Sequence, residues 1–327
     1  MKRLLVIRLS ALGDVAILAP VVRARAKANP DVLFMVAAPA RLQALFEGIG
    51  NIQFVATAKR QSPKELYRQW MALQPDMVAD MHHVNRIVAA DWLMMLHGKA
   101  VYHIHKEKFK RWQMMRRWGK VRRVLTPSWQ RYDDVFDRCG LKPSTLKEEQ
   151  QHYWRRDKNN DGQRHIGIAP MSQHKGKNWP LEQMEQLVGM LADDKRNHIY
   201  LFGGADEKPL FDRWLQHYAN TTSLAGTPTL GEELQAMARL DVMVSMDSAN
   251  MHFASCVGVP VVSVWGATHP DAGFYGWRQD PRWAVQKNLC CRPCSPFGNK
   301  ACRYGDYRCL KSITPEMVLE KIEAVLN

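Results

Sequence analysis

The sequence has no apolar run as long as the ~18 residues that a membrane span needs, and we therefore expect no transmembrane helix. Its beginning, Met1-Lys2-Arg3 before a short apolar segment, lacks the long apolar stretch and small-residue cleavage site of a signal peptide. These two absences predict a cytoplasmic protein. The chain also shows no repeat of fixed period and no low-complexity tract, which excludes repeat and fibrous architectures.

A nicotinamide-type dinucleotide fingerprint is missing as well. The first apolar segment, Leu4–Ile7, runs into the stretch Arg8–Val15, which holds one glycine where a G-x-G-x-x-G turn needs three. The stretch offers a carboxylate instead, because Asp14 follows Gly13 at the turn between a first strand and a first helix. Open α/β sheets present ligand sites at such turns, so Asp14 either caps the helix or projects into a ligand crevice.

The length of 327 residues and the ordinary composition, 46% apolar and 24% charged, suit two globular domains. Short apolar strands alternate with helical patterns in both halves of the chain, which predicts parallel sheets in an α/β fold. The predicted strands are Leu4–Ile7, Val32–Val36, Ile52–Val55, Met77–Ala79, Ala100–His103, Ile166–Ala169, His198–Phe202, Val242–Ser245 and Val261–Val264. We place an N-terminal domain at 1–155, a C-terminal domain at 156–312 and a terminal helix at 313–327. Polar residues 155–162 read as the linker.

Basic residues are concentrated in one stretch of a chain whose formal net charge is +14. Eleven Lys or Arg and one acidic residue, Glu107, lie between Lys99 and Arg131, with Phe109, Trp112, Trp118 and Trp129 among them. Three interpretations stay open: a solvated helix face, attraction to anionic lipid or an acidic acceptor, and nucleic-acid binding. Composition alone does not separate them.

Three motifs in order, Arg8–Val15, Lys177–Pro180 and Met246–His252, resemble the bacterial lipopolysaccharide heptosyltransferases of glycosyltransferase family 9. The resemblance runs over nearly the whole chain. It implies a GT-B fold, in which two Rossmann-like parallel-sheet domains face each other across a cleft and the final helix packs back on the N-terminal domain. It also implies an inverting, metal-independent transfer of heptose from ADP-heptose to a lipopolysaccharide core acceptor, without a cofactor. The predicted partners are then an ADP-sugar, a lipid-linked anionic glycan and the anionic cytoplasmic face of the inner membrane.

A nucleotide-diphosphate sugar needs fixed positive charge and unpaired backbone N–H groups, and the second domain offers both. Asp247 and Ser248 follow a strand and begin a helix, whose N–H groups and dipole favour phosphate. Lys177 supplies a mobile charge, with Lys175 as its rival. By resemblance a carboxylate of the Gly203–Glu207 turn, Glu207 in preference to Asp206, binds the ribose. The predicted donor residues are Ser172, Lys177, Glu207, Asp247, Ser248, Ala249, Asn250 and His252, with Thr268 and His269 near the base or the sugar.

Transfer to a hydroxyl needs a base, and by resemblance Asp14 fills that role. Further candidates follow the strand Met77–Ala79, at the edge where ligands bind open α/β sheets. The predicted acceptor residues are Gly13, His82, His83, Arg86, Lys106, Lys108 and Arg111.

Four cysteines within nineteen residues, Cys291, Cys294, Cys302 and Cys309, suggest a zinc site, but their spacing is looser than that of a zinc ribbon. We favour buried thiols over zinc or a disulfide and expect no metal.

Two other functions stay open on the sequence. The fold also suits a GT-B enzyme that uses or epimerises a UDP- or GDP-sugar. From a different class, residues 99–131 allow a nucleic-acid-binding α/β protein. We expect no nucleic acid, because the three motifs suit one anion-binding enzyme site.

Overall fold

The computed structural model describes residues 1–144 and 161–327. They form two compact units. Of the described residues, unit 1 holds Met1–Lys106 and 127–144. Unit 2 holds Glu107–Thr126 and 161–327. The predicted boundary near 155 and most of the predicted linker lie outside the described residues.

Unit 1 contains a parallel sheet in the order β3-β2-β1-β4-β5. Its strands are β1 (Lys2–Ile7), β2 (Val32–Ala38), β3 (Ile52–Ala56), β4 (Met77–Asp80) and β5 (Ala100–His103). The helices are α1 (Leu12–Ala28), α2 (Pro63–Met71), α3 (Asn85–Leu96) and α5 (Ser128–Arg138), while α4 (Lys108–Met115) lies in unit 2. Residues 4–7 of β1 and nearly all of β2 are buried and apolar, as expected for a sheet covered on both faces.

Unit 2 contains a second parallel sheet in the order β11-β10-β9-β6-β7-β8. Its strands are β6 (Arg164–Ala169), β7 (Asn197–Leu201), β8 (Thr221–Ser223), β9 (Val242–Met246), β10 (Val261–Trp265) and β11 (Ala284–Gln286). Its further helices are α6 (Leu181–Asp193), α7 (Lys208–His217), α8 (Leu230–Ala238), α9 (Ala249–Cys256), α10 (Arg308–Lys311) and α11 (Pro315–Leu326). The α/β prediction with two Rossmann-like parallel sheets is confirmed.

Two features of the domain prediction need correction. Residues 107–126, which we placed in the N-terminal domain, belong to unit 2. Hydrogen bonds hold them there, from Leu125 N–H to the Asp271 carbonyl (2.8 Å) and from Lys120 Nζ to the Cys291 carbonyl (2.6 Å). The final helix α11, which we expected to pack back on the N-terminal domain, belongs to unit 2 and is buried in the core of that unit.

The terminal helix is part of the unit 2 core for a simple physical reason. Val318 and Ile322, four residues apart, lie on one face of α11 and are fully buried with the apolar residues of unit 2. Ile313, just before the helix, is buried in the same core. Within the residues that the structure describes, no helix is long and apolar enough to cross a membrane.

The register of the unit 1 sheet places its polar residues side by side. Ile7 pairs with Asp80, and Asp80 in turn pairs with His103, at the last positions of β1, β4 and β5. Because parallel strands end at one edge, the loop after β1 and the loop after β4 share that edge. The sequence motif at Arg8 and the motif at Asp80 therefore meet.

Candidate active site

Asp14 lies in the first turn of α1, three residues after the N-cap Ala11. The sequence suggested a cap at Asp14 and a helix from Val15, but α1 begins at Leu12, so Gly13 and Asp14 are both helical. The carboxylate Oδ2 accepts a hydrogen bond from the backbone N–H of Ala11 (3.1 Å). This places the carboxylate at the positive end of the helix dipole, beside the loop after β1.

Arg8, at the beginning of the loop after β1, pairs with Asp14 at the beginning of α1. Its Nη2 lies 2.5 Å from Asp14 Oδ2, and its Nη1 donates to the Met81 carbonyl at 2.5 Å. The guanidinium also lies over the ring of Tyr132, 5.8 Å from its centroid. Burial opposes the charge of Arg8, but Asp14, Tyr132 and Asp80 outweigh it and raise the pKa of Arg8. Arg8 is thus a fixed cation that orients the Asp14 carboxylate, while 19% of the Asp14 side chain remains exposed.

His82 supports this loop from the end of β4. Its Nδ1 accepts from the Leu9 N–H (3.4 Å), and its Nε2 lies 3.1 Å from Ser10 Oγ. Burial, followed by the charge of Arg8, lowers the pKa of His82 to about 4, so the ring is neutral at pH 7. With Nδ1 accepting, the proton is on Nε2, which donates to Ser10. Both nitrogens of this predicted acceptor residue therefore hold the loop that carries Asp14.

The other predicted acceptor residues fall into two groups. Lys106 Nζ donates to the His83 carbonyl (3.0 Å), and Arg86 contacts the Lys59 carbonyl, all within unit 1. Lys108 and Arg111 lie on α4 in unit 2, where Lys108 is exposed and Arg111 lies 4.7 Å from the ring centroid of Phe274.

Lys177 meets Asp247 in unit 2, as the predicted donor site requires. Lys177 Nζ lies 2.9 Å from Asp247 Oδ2, and the same oxygen accepts a hydrogen bond from Thr268 Oγ1 at 2.7 Å. The Asp247 side chain is 6% exposed and that of Lys177 is 17% exposed. The rival Lys175 is exposed and lies over the ring of Tyr307. The structure therefore brings Lys177, Asp247 and Thr268 together and leaves Lys175 aside.

The beginning of α9 provides the expected backbone N–H groups. The N-cap is Ser248, not Asp247, and its side chain makes no capping hydrogen bond. Ser248 Oγ instead lies 3.1 Å from Ser245 Oγ. Ala249 and Asn250, in the first helical turn, are half-buried, whereas His252 is buried. An uncapped, partly exposed helix N-terminus is a binding site for anions.

The loop that carries Lys177 is fixed at both ends. Ser172 N–H donates to Asn178 Oδ1 (2.7 Å), which ties the beginning of the loop to its end. Trp179 is buried, and its Nε1 donates to the Ile313 carbonyl (3.0 Å). The backbone of Gly176 bonds to Gly298 and Ala267, so Lys177 projects from a closed loop network.

Glu207 occupies a turn that requires glycine. Its Oε2 accepts a hydrogen bond from Gly204 N–H, and a side chain at Gly203 would clash with that oxygen. Burial raises the pKa of Glu207. Burial also raises the pKa of Glu233, and the negative charge of Glu207 raises it further. Glu233 on α8, which the sequence did not single out, thus belongs to the same acidic group.

Arg292 is a second residue that sequence reasoning missed. It is 2% exposed and donates to the carbonyls of Gly266 (2.5 Å), Lys287 (2.5 Å) and Thr268 (2.9 Å). Burial lowers the pKa of Arg292 to about 10, which leaves it charged at neutral pH. The sequence analysis did not single out Arg292, because it stands in a cysteine-rich loop that suggested metal binding. It fixes the loop that carries Thr268 and His269.

A cavity of about 300 Å³ adjoins this loop. Its charged lining is predominantly basic, with Arg122, Arg123, Lys287 and Arg292 beside His269 and Asp271. Burial lowers the pKa of His269, and its Nδ1 accepts from Asp271 N–H at 3.2 Å. The cavity suits an anionic or strongly polar ligand.

The four clustered cysteines line one small space with Arg292 and Tyr307. Cys309 is buried, and burial raises its pKa to about 11. Among the described residues, three or more potential ligand atoms of His, Cys, Asp or Glu come within 4.8 Å of one another only at Asp80, His83 and His103. A metal at the four cysteines, which the sequence left open, stays untested.

Comparisons with known proteins identify the family of the chain and its fold. Residues 131–307 match the family model described as glycosyltransferase family 9 (heptosyltransferase). A lipooligosaccharide heptosyltransferase 2 from Campylobacter jejuni is 24% identical over 173 residues, 51% of this chain and 52% of that protein. The chain therefore spans about half the length of the curated relatives it matches.

Two solved structures share the fold over its whole length. The family 9 glycosyl transferase from Veillonella parvula has a TM-score of 0.73 and 18% identity, with 99% of this chain and 97% of that chain covered. The E. coli heptosyltransferase WaaC with ADP has a TM-score of 0.69 and 18% identity, with 99% and 100% covered. Because the family model matches more than half of the residues, this chain belongs to glycosyltransferase family 9, the heptosyltransferase family.

Proposed function

We propose that the protein transfers heptose from ADP-heptose to a hydroxyl of a lipopolysaccharide core acceptor, with inversion at the anomeric carbon. The observation that carries the proposal is the Asp14–Arg8 pair, in which a partly exposed carboxylate in the first turn of α1 contacts the buried guanidinium of Arg8 in a family 9 protein. Lys177 and the N-terminus of α9 supply the complementary site for a diphosphate.

The reaction needs one base and one stabilised leaving group. Asp14 accepts the proton of the acceptor hydroxyl while the oxygen attacks the anomeric carbon and the bond to the diphosphate oxygen breaks. A carboxylate of ordinary basicity suffices because the hydroxyl becomes acidic only as its oxygen bonds to carbon. The electron pair of the broken bond leaves with ADP, and direct displacement inverts the configuration.

The leaving diphosphate is stabilised by unit 2. Lys177 is the mobile cation, and it moves from Asp247 to a phosphate oxygen when the donor binds. The N–H groups of Ser248, Ala249 and Asn250 face the same anion, with the helix dipole behind them. Asp247 positions Lys177, and Thr268 holds Asp247. A lysine and a helix N-terminus together supply this charge stabilisation without a metal ion at the diphosphate.

The remaining part of the proposal is an acidic, membrane-borne acceptor at the cytoplasmic face of the inner membrane. Phe109, Trp112 and Trp118 are 67%, 55% and 73% exposed among exposed cations such as Arg116 and Arg117. Aromatic rings next to arginine and lysine suit the interface of an anionic membrane. Cosedimentation with phosphatidylglycerol vesicles, lost in a Trp112→Ser, Trp118→Ser variant, supports this assignment. Binding to RNA at physiological salt without vesicle binding would favour the nucleic-acid alternative.

Thermal unfolding with ADP, ADP-heptose, UDP, GDP, CDP and NAD tests the donor. Ligand at about 100 times its Kd stabilises the folded state by about 2.7 kcal/mol, which is readily measured. We expect a shift with ADP and ADP-heptose alone. A shift with UDP or GDP alone would replace the donor and keep the chemistry, whereas no shift with any nucleotide would contradict the proposed donor site.

A further inference from the structure

Two carboxylates and two imidazoles meet at the edge of the unit 1 sheet, next to the loop of Asp14. Asp80 ends β4, His103 ends β5, and Asp91 belongs to α3. His83 follows β4 with a backbone φ of 43°, a left-handed conformation that brings its ring back toward the sheet. The ring centroids of His83 and His103 are 4.6 Å apart.

The facing atoms of this cluster are buried and lack hydrogen bonds. They are Asp80 Oδ2, His83 Nδ1, His103 Nε2 and both carboxylate oxygens of Asp91, and each is shielded from solvent without a hydrogen-bond partner among the described residues. Both carboxylates are 0% exposed. Buried polar atoms of native proteins are nearly always paired, so five such atoms at one place call for an explanation.

The other side of the Asp80 carboxylate is fully engaged. Asp80 Oδ1 accepts hydrogen bonds from the backbone N–H groups of His82 and His83, both at 2.8 Å. These bonds fix the carboxylate so that Oδ2 is turned toward His83 Nδ1, 3.5 Å away. The orientation is one that outer contacts impose on metal-binding carboxylates.

The spacing of the facing atoms fits a tetrahedral ion. Nitrogen and oxygen ligands bind Zn²⁺ at about 2.0–2.2 Å, which places neighbouring tetrahedral ligands roughly 3.3–3.6 Å apart. Asp80 Oδ2 lies 3.5 Å from His83 Nδ1, and Asp91 Oδ2 lies 3.3 Å from His103 Nε2. One ligand atom each of Asp80, His83 and His103 lies within 4.8 Å of the other two.

Electrostatics also favours a cation. Two buried carboxylates facing each other repel, and a cation bound beside them compensates their charge. Each imidazole nitrogen faces a carboxylate oxygen, His83 Nδ1 at 3.5 Å from Asp80 Oδ2 and His103 Nε2 at 3.3 Å from Asp91 Oδ2. An ion at this place therefore has nitrogen and oxygen ligands side by side.

We propose that Asp80, His83 and His103 bind one divalent transition-metal ion of the zinc class, with Asp91 beside His103 as a supporting carboxylate. Two imidazoles with a carboxylate suit Zn²⁺ and its neighbours better than Mg²⁺ or Ca²⁺, which take oxygen ligands. His83 and His103 are 35% and 30% exposed, so an ion can enter from their side.

The ion serves the fold of the acceptor side and takes no part in the transfer step. It joins the ends of β4 and β5 to α3 and fixes His83, next to the His82 that holds the Asp14 loop. The site is independent of the proposed donor chemistry, since Lys177 and α9 belong to unit 2.

Zinc binding by the purified full-length protein tests the proposal directly. After chelator treatment and dialysis, Zn²⁺ is titrated against a chromophoric competitor in the absence of nucleotide and acceptor. We expect one ion per chain, with affinity at least 100-fold weaker in Asp91→Asn, His103→Gln. A His165→Gln variant is the matched control, because its Nε2 also lies 3.0 Å from an aspartate oxygen, Asp161 Oδ2, in unit 2.

A second variant separates this site from the cysteine cluster. Cys291→Ser, Cys294→Ser keeps the ion if the proposal is right. Co²⁺ bound to the wild-type protein then shows the visible absorption of tetrahedral cobalt without a thiolate charge-transfer band, a readout that requires no variant to fold.

Three results would overturn the proposal. The first is the absence of stoichiometric Zn²⁺ binding by the wild-type protein. The second is unchanged Zn²⁺ affinity in the folded double variant Asp91→Asn, His103→Gln. The third is loss of the ion in the cysteine variant, together with a thiolate band in the cobalt spectrum of the wild-type protein. Since no donor or acceptor is present, failure here leaves the proposed transferase function standing.

Discussion

Replacing Lys177 by methionine removes the cation of the donor site and keeps most of its apolar stem. In the wild-type protein Lys177 Nζ lies 2.9 Å from Asp247 Oδ2, so the donor diphosphate must take over this ammonium. A hydrogen bond to a charged group contributes about 1.5–3 kcal/mol, which corresponds to roughly 10- to 150-fold in Kd. We expect Lys177→Met to weaken ADP binding by that factor, measured by isothermal titration calorimetry.

The second variant of this experiment tests the role of Asp247. In Lys177→Met the Asp247 carboxylate keeps the Thr268 hydroxyl but loses its cation, and it then repels the incoming diphosphate. Lys177→Met, Asp247→Asn is therefore expected to bind ADP more tightly than Lys177→Met alone. The free energy of unfolding should follow the same order, since an unpaired buried charge costs about 1–3 kcal/mol.

Lys208→Met is the control for lost surface charge. Lys208 Nζ lies 2.7 Å from Asp212 Oδ1, but this i,i+4 pair is exposed and should contribute about 0.5 kcal/mol or less. Equal ADP affinity in wild type, Lys177→Met and Lys208→Met would refute the assignment of the donor phosphate to Lys177.

Three further predictions concern the loops of unit 2. Arg292→Met leaves three backbone carbonyls without their donor and should lower the free energy of unfolding by about 3 kcal/mol in urea titrations. Arg292→Lys should not restore the stability, because one ammonium does not reach all three carbonyls. Unchanged stability of the methionine variant would contradict this role. Burial lowers the folded-state pKa of His269, so the unfolded chain binds the proton more readily and stability falls as the pH drops below 6.5. His269→Gln should reduce this pH dependence in thermal melts from pH 7 to 5. An unaltered pH profile in the variant would contradict the role of His269. Iodoacetamide should modify exposed Cys290 well before buried Cys309, as mapped by peptide mass spectrometry, and the reverse order would contradict the described burial.

Sequence reasoning predicted the sheets well because their strands are continuous apolar runs. Each predicted strand lies within a residue or two of the observed one, whereas β8 and β11, three residues each, were missed. Thr221–Ser223 is short and polar, and it becomes a strand only because β7 lies beside it. Such an element depends on its neighbour, which local composition does not reveal.

The two domain errors have the same origin. The sequence of a basic stretch such as 107–126 does not indicate which unit it packs on. Its place is set by particular contacts, such as Leu125 N–H with the Asp271 carbonyl, nearly 150 residues away along the chain. The apolar face of α11 was equally visible in the sequence, but its partner surface was not.

Individual site residues were predicted where one motif contained the chemistry, and missed where several elements contribute. Asp14 and Lys177 stand in recognisable motifs, and the structure gives each an oppositely charged partner. Asp91 and His103 stand alone in α3 and β5. The register of the sheet brings His103 to Asp80, and the packing of α3 brings Asp91 to His103.

The most direct test of the central claim is sugar transfer by Asp14→Asn. The amide keeps the shape of the side chain but is not a base for the acceptor hydroxyl. Glu65→Gln is the matched control, because Glu65 is also the third residue of its helix and bonds back to the N-cap, Ser62.

With ADP-heptose and a deacylated lipopolysaccharide core acceptor, ADP release and product mass are followed together. We expect turnover to fall about 100-fold or more in Asp14→Asn, consistent with the usual contribution of a general base. ADP affinity should be almost unchanged, and Glu65→Gln should match the wild type. Turnover of Asp14→Asn within a few-fold of the wild type would contradict the account.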